Sequence, residues 1–400
     1  MSGNPIDESS PRYAGWRVVP ACFLVALFCW GFALYGHGVY LTELNRLHGW
    51  PTAWISGAIT LFYLLTAALV VFVSDVIARF GPRRVMLAGA CCLGSAVALL
   101  AFIDALWQLY LVYLLMAVGA ASMHVGAISS VIGLWFNRQR GLALSLALNG
   151  ASSGGILVTP VLVLAIAHYG FSNAIIGAAV AMAAVLLPAI ALWIGRPAVA
   201  ATQPGAAPVT AAWTRRSALR SLSFWSVAAP FAMALTSQVG FLVHQIAILE
   251  PAVGRAQAGF SVAALAAAAI AGRFGLGAFA ARLDMRRFTA WSLASQAAAL
   301  AAMAWTTNPT ALMAACVAFG FSAGNLITLP SLVVQREFEA ASFGMLVGLS
   351  WAITQFTYAF GPGILGVMRD LTGGYTAPLA LCIALDLGAA ALILLRPRQR

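Results

Sequence analysis

Twelve apolar runs, each near the ~20 residues a helix needs to cross a bilayer, constrain this chain more than any other feature. They fall at 16–42, 52–74, 84–103, 107–135, 140–167 and 173–195, then at 222–249, 257–281, 287–305, 309–334, 342–367 and 375–395. Hydrocarbon offers no water to backbone N–H and C=O groups, so runs of this length read as helices, which satisfy those groups internally. Composition agrees: 8% of residues are charged, against roughly 25% in a soluble domain. So much apolar surface cannot be buried within 400 residues, and the solvent of this chain is lipid. The expected fold class is all-α integral membrane with twelve transmembrane helices. The polar N-terminus has no cleavage site, and the first run is too long for a signal-peptide core, so it is read as a helix of the mature protein.

The runs repeat. Sliding the chain by 203 positions lays Ala78-Arg79 on Ala281-Arg282, Arg83-Arg84 on Arg286-Arg287, and Gly141 on Gly344. Each half therefore carries a basic turn between its second and third runs, and a parallel repeat of this size in an apolar chain points to two six-helix bundles. The expected division is 1–195, a linker over 196–221 marked by Pro197, Pro204, Gly205 and Pro208, and 222–400.

A formal charge of +11 does not indicate nucleic acid. Every basic residue is an arginine, nearly all lie in short turns or the terminal segments, and eighteen of the 22 fall on one side of the expected membrane. Arg46, Arg255 and Arg369 fall on the other, and Arg273 lies within a run. Arginine gathers on the cytoplasmic side, so both termini are expected there and the location is the plasma (inner) membrane. The six cysteines sit inside apolar runs with neither a disulfide framework nor metal spacing.

Two six-helix halves, basic turns after the second and eighth helices and a polar linker make the chain resemble the major facilitator superfamily, whose first basic turn usually reads Gly-x-x-x-Asp-Arg-x-Gly-Arg-Arg. Arg79, Gly81, Arg83 and Arg84 broadly fit. Ser74 stands for the opening glycine, Ala78 for the Asp, and Pro82 shifts the last pair, with Asp75 nearby. Within the superfamily the chain is most similar to monocarboxylate and oxalate–formate porters. That likeness rests on Gly15-Trp16-Arg17-Val18-Val19, Arg79-Phe80-Gly81-Pro82-Arg83-Arg84-Val85, Trp135-Phe136-x-Arg138-x-Arg140-Gly141-Leu142-Ala143, and Gly361-Pro362. It implies a secondary active transporter that moves a small organic anion by alternating access. It also implies a charge relay at the cytoplasmic gate, here Asp75, Arg79, Arg83, Arg84, Arg282, Arg286 and Arg287.

Few polar residues are left to carry chemistry. Arg273 is nine residues before Arg282, about 13 Å along a helix, too far to snorkel out. A guanidinium in that position is costly unless it faces a wet interior, and its fork of donors suits a carboxylate. The resemblance places the substrate-binding arginine of the eighth helix at Arg273. It fails at Ala269, where some relatives have Asp, and at Thr354 and Gln355, near the second cation of oxalate carriers. One cation favours a monoanion. His124 and Asn325 correspond at an offset of 201 and are further lining candidates with Tyr35, Gln238, Gln245 and Gln355.

His37 and His244 correspond at an offset of 207, as do Glu43 and Glu250. A histidine two turns inside the outer end of the first and seventh helices suits a proton carrier, and Asp386 in the twelfth run is the other candidate. His244 is favoured, because it shares its helix with Gln238 and Gln245. The glycines of the fifth run, Gly150 and Gly154 among them, are read as close-packing positions. No nucleophile, metal cluster or paired carboxylate indicates an enzyme, and no cofactor is expected. The expected partners are the bilayer and a small carboxylate, with the chain a monomer. A multidrug exporter of the same superfamily is the alternative.

Overall fold

The computed structural model describes residues 8, 10, 13–136, 139–195, 213–279, 283–339 and 342–395. The basic-turn arginine Arg282 and most of the linker lie outside them. Helices account for nearly all of the described chain. We number its long rods α1 (Ala14–His48), α2 (Thr52–Phe80), α3 (Pro82–Phe102), α4 (Leu106–Trp135), α5 (Arg140–Tyr169), α6 (Phe171–Trp193), α7 (Leu222–Val253), α8 (Arg255–Phe279) and α9 (Met285–Trp305). Then come α10 (Pro309–Ala323 continuing through Leu329–Glu337), α11 (Phe343–Tyr358 and Gly361–Thr372) and α12 (Thr376–Leu394).

Ten of the rods are long and apolar enough to cross a membrane. The other two are α9, which opens on Arg286 and Arg287, and α11, which is interrupted at Ala359 and Phe360. Twelve rods among the described residues are consistent with the expected count, and the fold is an all-α membrane fold.

Several rods outrun their apolar stretches. α2 continues past residue 74 through Asp75 and Arg79 to Phe80, because only Gly81, with a φ of 86°, turns the chain. α1 is interrupted by a π-helical stretch, Gly31–Tyr35. α4 breaks at His124, whose ψ of 172° leaves the helical region, and α10 passes through a 3₁₀ turn, Gly324–Ile327. π and 3₁₀ interruptions commonly mark functional segments.

The described chain separates into two compact units. One contains the described parts of 1–37 and 65–204, the other those of 38–64 and 205–400. In the first, α1 and α5 touch backbone to backbone: a Cβ at Gly150 would lie 2.1 Å from the Phe23 carbonyl oxygen. In the second, α8 and α10 cross as closely, with Gly272 against Phe321 and Gly324 against Ala269.

The paired ends of the repeat are built differently. In the first unit Arg83 Nε donates to the Ile194 carbonyl at the end of α6 (2.6 Å), and Trp135 Nε1 donates to Gly195 (3.0 Å). In the second, Arg286 is 2% exposed and donates to the Ile393 (2.8 Å) and Leu395 (2.7 Å) carbonyls at the end of α12. It also grips Glu337 of α10 through Nε (2.5 Å) and Nη2 (2.6 Å), and donates to Ser226 Oγ of α7 (2.8 Å). A guanidinium at a helix C-terminus meets carbonyls that have no partner within the helix.

Candidate functional site

Arg273 is placed by the phase of α8. Phe260, Ala267, Ala271 and Phe274 form an exposed apolar stripe, whereas Val262, Leu265, Ala266, Ala269 and Leu276 are buried. Arg273 stands one turn after Ala269 and one before Leu276, half-buried at the edge of the packed side. Its Nε donates to the Ala269 carbonyl at 3.3 Å. That carbonyl is the one that Gly324 of α10 packs against, and Asn325 follows at once, 1% exposed. Asn325 Nδ2 donates to Phe321 at 3.2 Å, and its Oδ1 has no hydrogen-bond partner among the described residues.

Arg273 and Asn325 thus belong to one helix crossing, which needs Gly272 and Gly324 because a side chain there would separate the backbones. Arg273 is eighteen residues into α8, about 27 Å from its start, midway between the helix centre and its last residue, Phe279. Gln238 of α7 is buried with Oε1 unpartnered among the described residues, and Gln355 of α11 is half-buried. Gln245 donates to Ser261 Oγ (2.9 Å) and so ties α7 to α8.

In the first unit Tyr35 closes the π stretch of α1 and is buried. His124 sits at the break of α4 and stacks on Trp30 at 5.3 Å between ring centres. The pairing of His124 with Asn325 by repeat therefore corresponds to two helix interruptions, a feature the residue identities do not announce. His37 is fully buried and stacks on Tyr113 at 5.4 Å.

His244, its repeat mate, has a different environment in the second unit. Its Nε2 lies 3.0 Å from the Pro362 carbonyl and 3.3 Å from Ser56 Oγ, and its Nδ1 is 3.1 Å from the Tyr375 hydroxyl. Asp386 is fully buried in α12 beside Ser237.

Among the basic-turn residues, Asp75, Arg79, Arg84 and Arg287 are exposed, and Arg79 covers the Phe80 ring at 5.2 Å. Asp284 caps α9, accepting from the Arg286 and Arg287 amides (3.0 and 3.3 Å). Arg83 and Arg286 are engaged within their own units as described above.

At the far end of the second unit the structure assembles a lock. Glu43 pairs with Arg255 and, at 3.3 Å, with Arg46, while Arg46 also pairs with Glu250. The repeat-related acids Glu43 and Glu250 thus each take an arginine from the opposite sequence half. Asp370 of α11 caps α2 through the Ala53 amide (2.7 Å), and the Gly363 amide donates to Thr60 Oγ1 (3.1 Å). Sequence reasoning used Arg46 and Arg255 only for orientation, although the Glu43/Glu250 repeat was a signal for this pairing.

Reversing Arg255 to Glu sets like charges together, which costs several kcal/mol. A cysteine at Ser56, behind the lock, is expected to react severalfold faster with an impermeant maleimide in Arg255→Glu, in a background without native cysteines. Adding Glu43→Arg should restore protection. Equal labelling in all three proteins would refute the lock.

A membrane protein of twelve helical rods, with interrupted helices, a half-buried arginine and a charged lock at one end, has the architecture of a membrane carrier. The Major Facilitator Superfamily model matches residues 21–362, and the chain belongs to that superfamily of transporters. It is 25% identical to the uncharacterized MFS-type transporter YcxA of Bacillus subtilis, over 98% of this chain and 96% of that one. Monocarboxylate transporter 11 of Homo sapiens is 28% identical over 96% of this chain and 83% of its own length. Among solved structures, a D323A mutant of the nucleoside transporter NupG superposes with a TM-score of 0.75 at 13% identity, over 95% of this chain and 99% of that one. At that identity the likeness shows the fold alone.

Proposed function

We propose that this protein is a secondary active transporter that carries a small monocarboxylate-like anion across the inner membrane by alternating access, with a proton as co-substrate and both termini cytoplasmic. The observation that carries the reading is Arg273, a guanidinium off the exposed apolar stripe of α8, on the same α8–α10 crossing as the buried amide of Asn325. The whole-length likeness to relatives named monocarboxylate transporters supports it. The Glu43–Arg255 and Arg46–Glu250 pairs serve as the closed outer gate, and Arg79, Arg84 and Arg287 are the basic-turn residues free to act at the inner one.

The test is uptake into proteoliposomes of radiolabelled acetate, lactate and pyruvate, with succinate and ethidium as dianionic and cationic probes. Saturable uptake of a monoanion is expected. Flux of ethidium without any carboxylate flux would replace this reading by that of an exporter.

Proton coupling is assigned to His244. A bound anion favours the charged imidazole, so proton and anion raise each other's affinity by the same factor. Uptake should therefore rise as external pH falls, and this dependence should flatten in His244→Gln. Anion-driven flux with no acidification of the lumen would make the protein a uniporter or exchanger.

A further inference from the structure

We propose that Tyr375 is a proton relay joining His244 to a water-accessible cavity at the gate end of the second unit. The proposal rests on reading His244 as the proton site and extends it to the route by which the proton arrives. His244 is fully buried, and a buried imidazole exchanges protons with water only through a group that can both give and take one.

The geometry points to one such group. A cavity of about 330 Å³ is lined by Arg46, Thr52, Glu250, Arg369 and Tyr375, among others. Tyr375, in the turn between α11 and α12, lines it and also brings its hydroxyl to 3.1 Å from His244 Nδ1. On the other side of the ring, Nε2 faces the Pro362 carbonyl at 3.0 Å. A carbonyl only accepts, so the neutral ring carries its hydrogen on Nε2. Nδ1 is then the acceptor, and the Tyr375 O–H donates to it.

Protonation proceeds without a free phenolate. Tyr375 passes its hydroxyl proton to Nδ1 while its oxygen takes a proton from a cavity water, which draws on the solvent in turn. The imidazolium then donates from both nitrogens, to Pro362 and to the Tyr375 oxygen, and the new hydroxyl hydrogen points to the cavity. Burial raises the Tyr375 phenol above its ordinary pKa, so the group stays protonated at neutral pH. Ser56 Oγ, 3.3 Å from Nε2, is the other hydroxyl on the ring.

Among the described residues, the charged groups around this path are Arg369 and Asp370 on α11, Glu250 on α7 itself and Arg46 on α1, with Glu43 of α1 and Arg255 of α8 joined to them through Arg46. α2 faces the ring with Ser56 and contributes no charge there. Asp370 is held by Arg369 at 2.9 Å and by the Ala53 amide, Glu250 by Arg46, and Glu43 by Arg46 and Arg255. Each acid is thus engaged by a guanidinium, and Tyr375 is left as the neutral donor that touches both ring and cavity.

The experiment is nitrogen NMR of [¹⁵N]histidine-labelled full-length protein in nanodiscs, with His244 assigned by loss of its signal in His244→Gln. Two results are expected. Neutral His244 in the unsubstituted protein is the Nε2–H tautomer. Stepping the pH across the transition of His244 itself, located from the same spectra, interconverts its neutral and charged forms about tenfold or more slower in Tyr375→Phe, since a positioned proton donor is worth about that factor or more. Phenylalanine keeps the ring that packs against the imidazole at 5.5 Å, so a purely structural role predicts no change in rate.

An Nδ1–H tautomer in the unsubstituted protein, or equal rates in the two proteins, overturns the relay. The two readings fail separately. Slow exchange in Tyr375→Phe together with pH-independent uptake would keep the relay and remove proton coupling. Equal rates together with a flattened uptake profile in His244→Gln would do the reverse.

Discussion

Replacing Arg273 by alanine is expected to reduce carboxylate uptake in proteoliposomes by about thirtyfold or more, while the protein still inserts and folds. Truncating one partner of a buried charged hydrogen-bonded pair costs about 2–5 kcal/mol, and each 1.4 kcal/mol is about tenfold in affinity. The fold survives because the α8–α10 crossing is set by Gly272 and Gly324. Arg273→Lys separates charge from shape: it keeps the cation and loses the two-pronged donor that matches a carboxylate. Its uptake should fall most of the way to the alanine level. Thermal melts of all three proteins, run beside the uptake assay, tell transport loss from misfolding. Unchanged uptake by Arg273→Ala would remove the arginine from the site.

The second large effect falls on stability. Arg286 makes five hydrogen bonds that join the start of α9 to α7, to α10 and to the end of α12. Its side chain is 3% exposed and that of Glu337 28%. Removing one partner of a buried pair costs about 3–5 kcal/mol, and the low end applies here because Glu337 keeps some water. Arg286→Ala should therefore lower the melting temperature by roughly 5–10 °C. Arg83→Ala, at the equivalent position of the first half, removes a hydrogen bond from an exposed side chain, worth about 1 kcal/mol. Equal melting temperatures for the two variants would show that the Arg286 network does not hold the second unit together.

Arg83 and Arg286 bond to different partners although the internal repeat pairs them. The two residues correspond at an offset of 203, and the family resemblance implies a gate role for both. The structure gives each the end of a neighbouring helix, α6 or α12, but among the described residues only Arg286 pairs with an acid, Glu337, which stands where the first half has the Leu134–Phe136 stretch. His37 and His244 diverge in the same way, one against an aromatic ring and the other among three hydrogen-bonding groups. A repeat preserves the course of the backbone, while side-chain partners depend on what the other helices bring.

What the sequence determined by itself was the solvent, the helices, the superfamily and the short list of polar residues. Each follows from local composition or from motifs, since ~20 apolar residues in lipid have no alternative to a helix. Helix interruptions at His124 and Gly324–Ile327 left no such trace, because the apolar pattern runs through them. Only the tertiary structure decided which polar groups meet: Glu43 with Arg255, Asp370 with the start of α2, and Tyr375 with His244. These partners lie 131 to 317 residues apart where hydrogen bonds join them. Lipid drives every apolar run to become a helix, but it sets no preference among the ways those helices pack. Backbone contact at glycine crossings and the cost of leaving a buried charge unpaired make that choice, and neither is a property of any one stretch of chain.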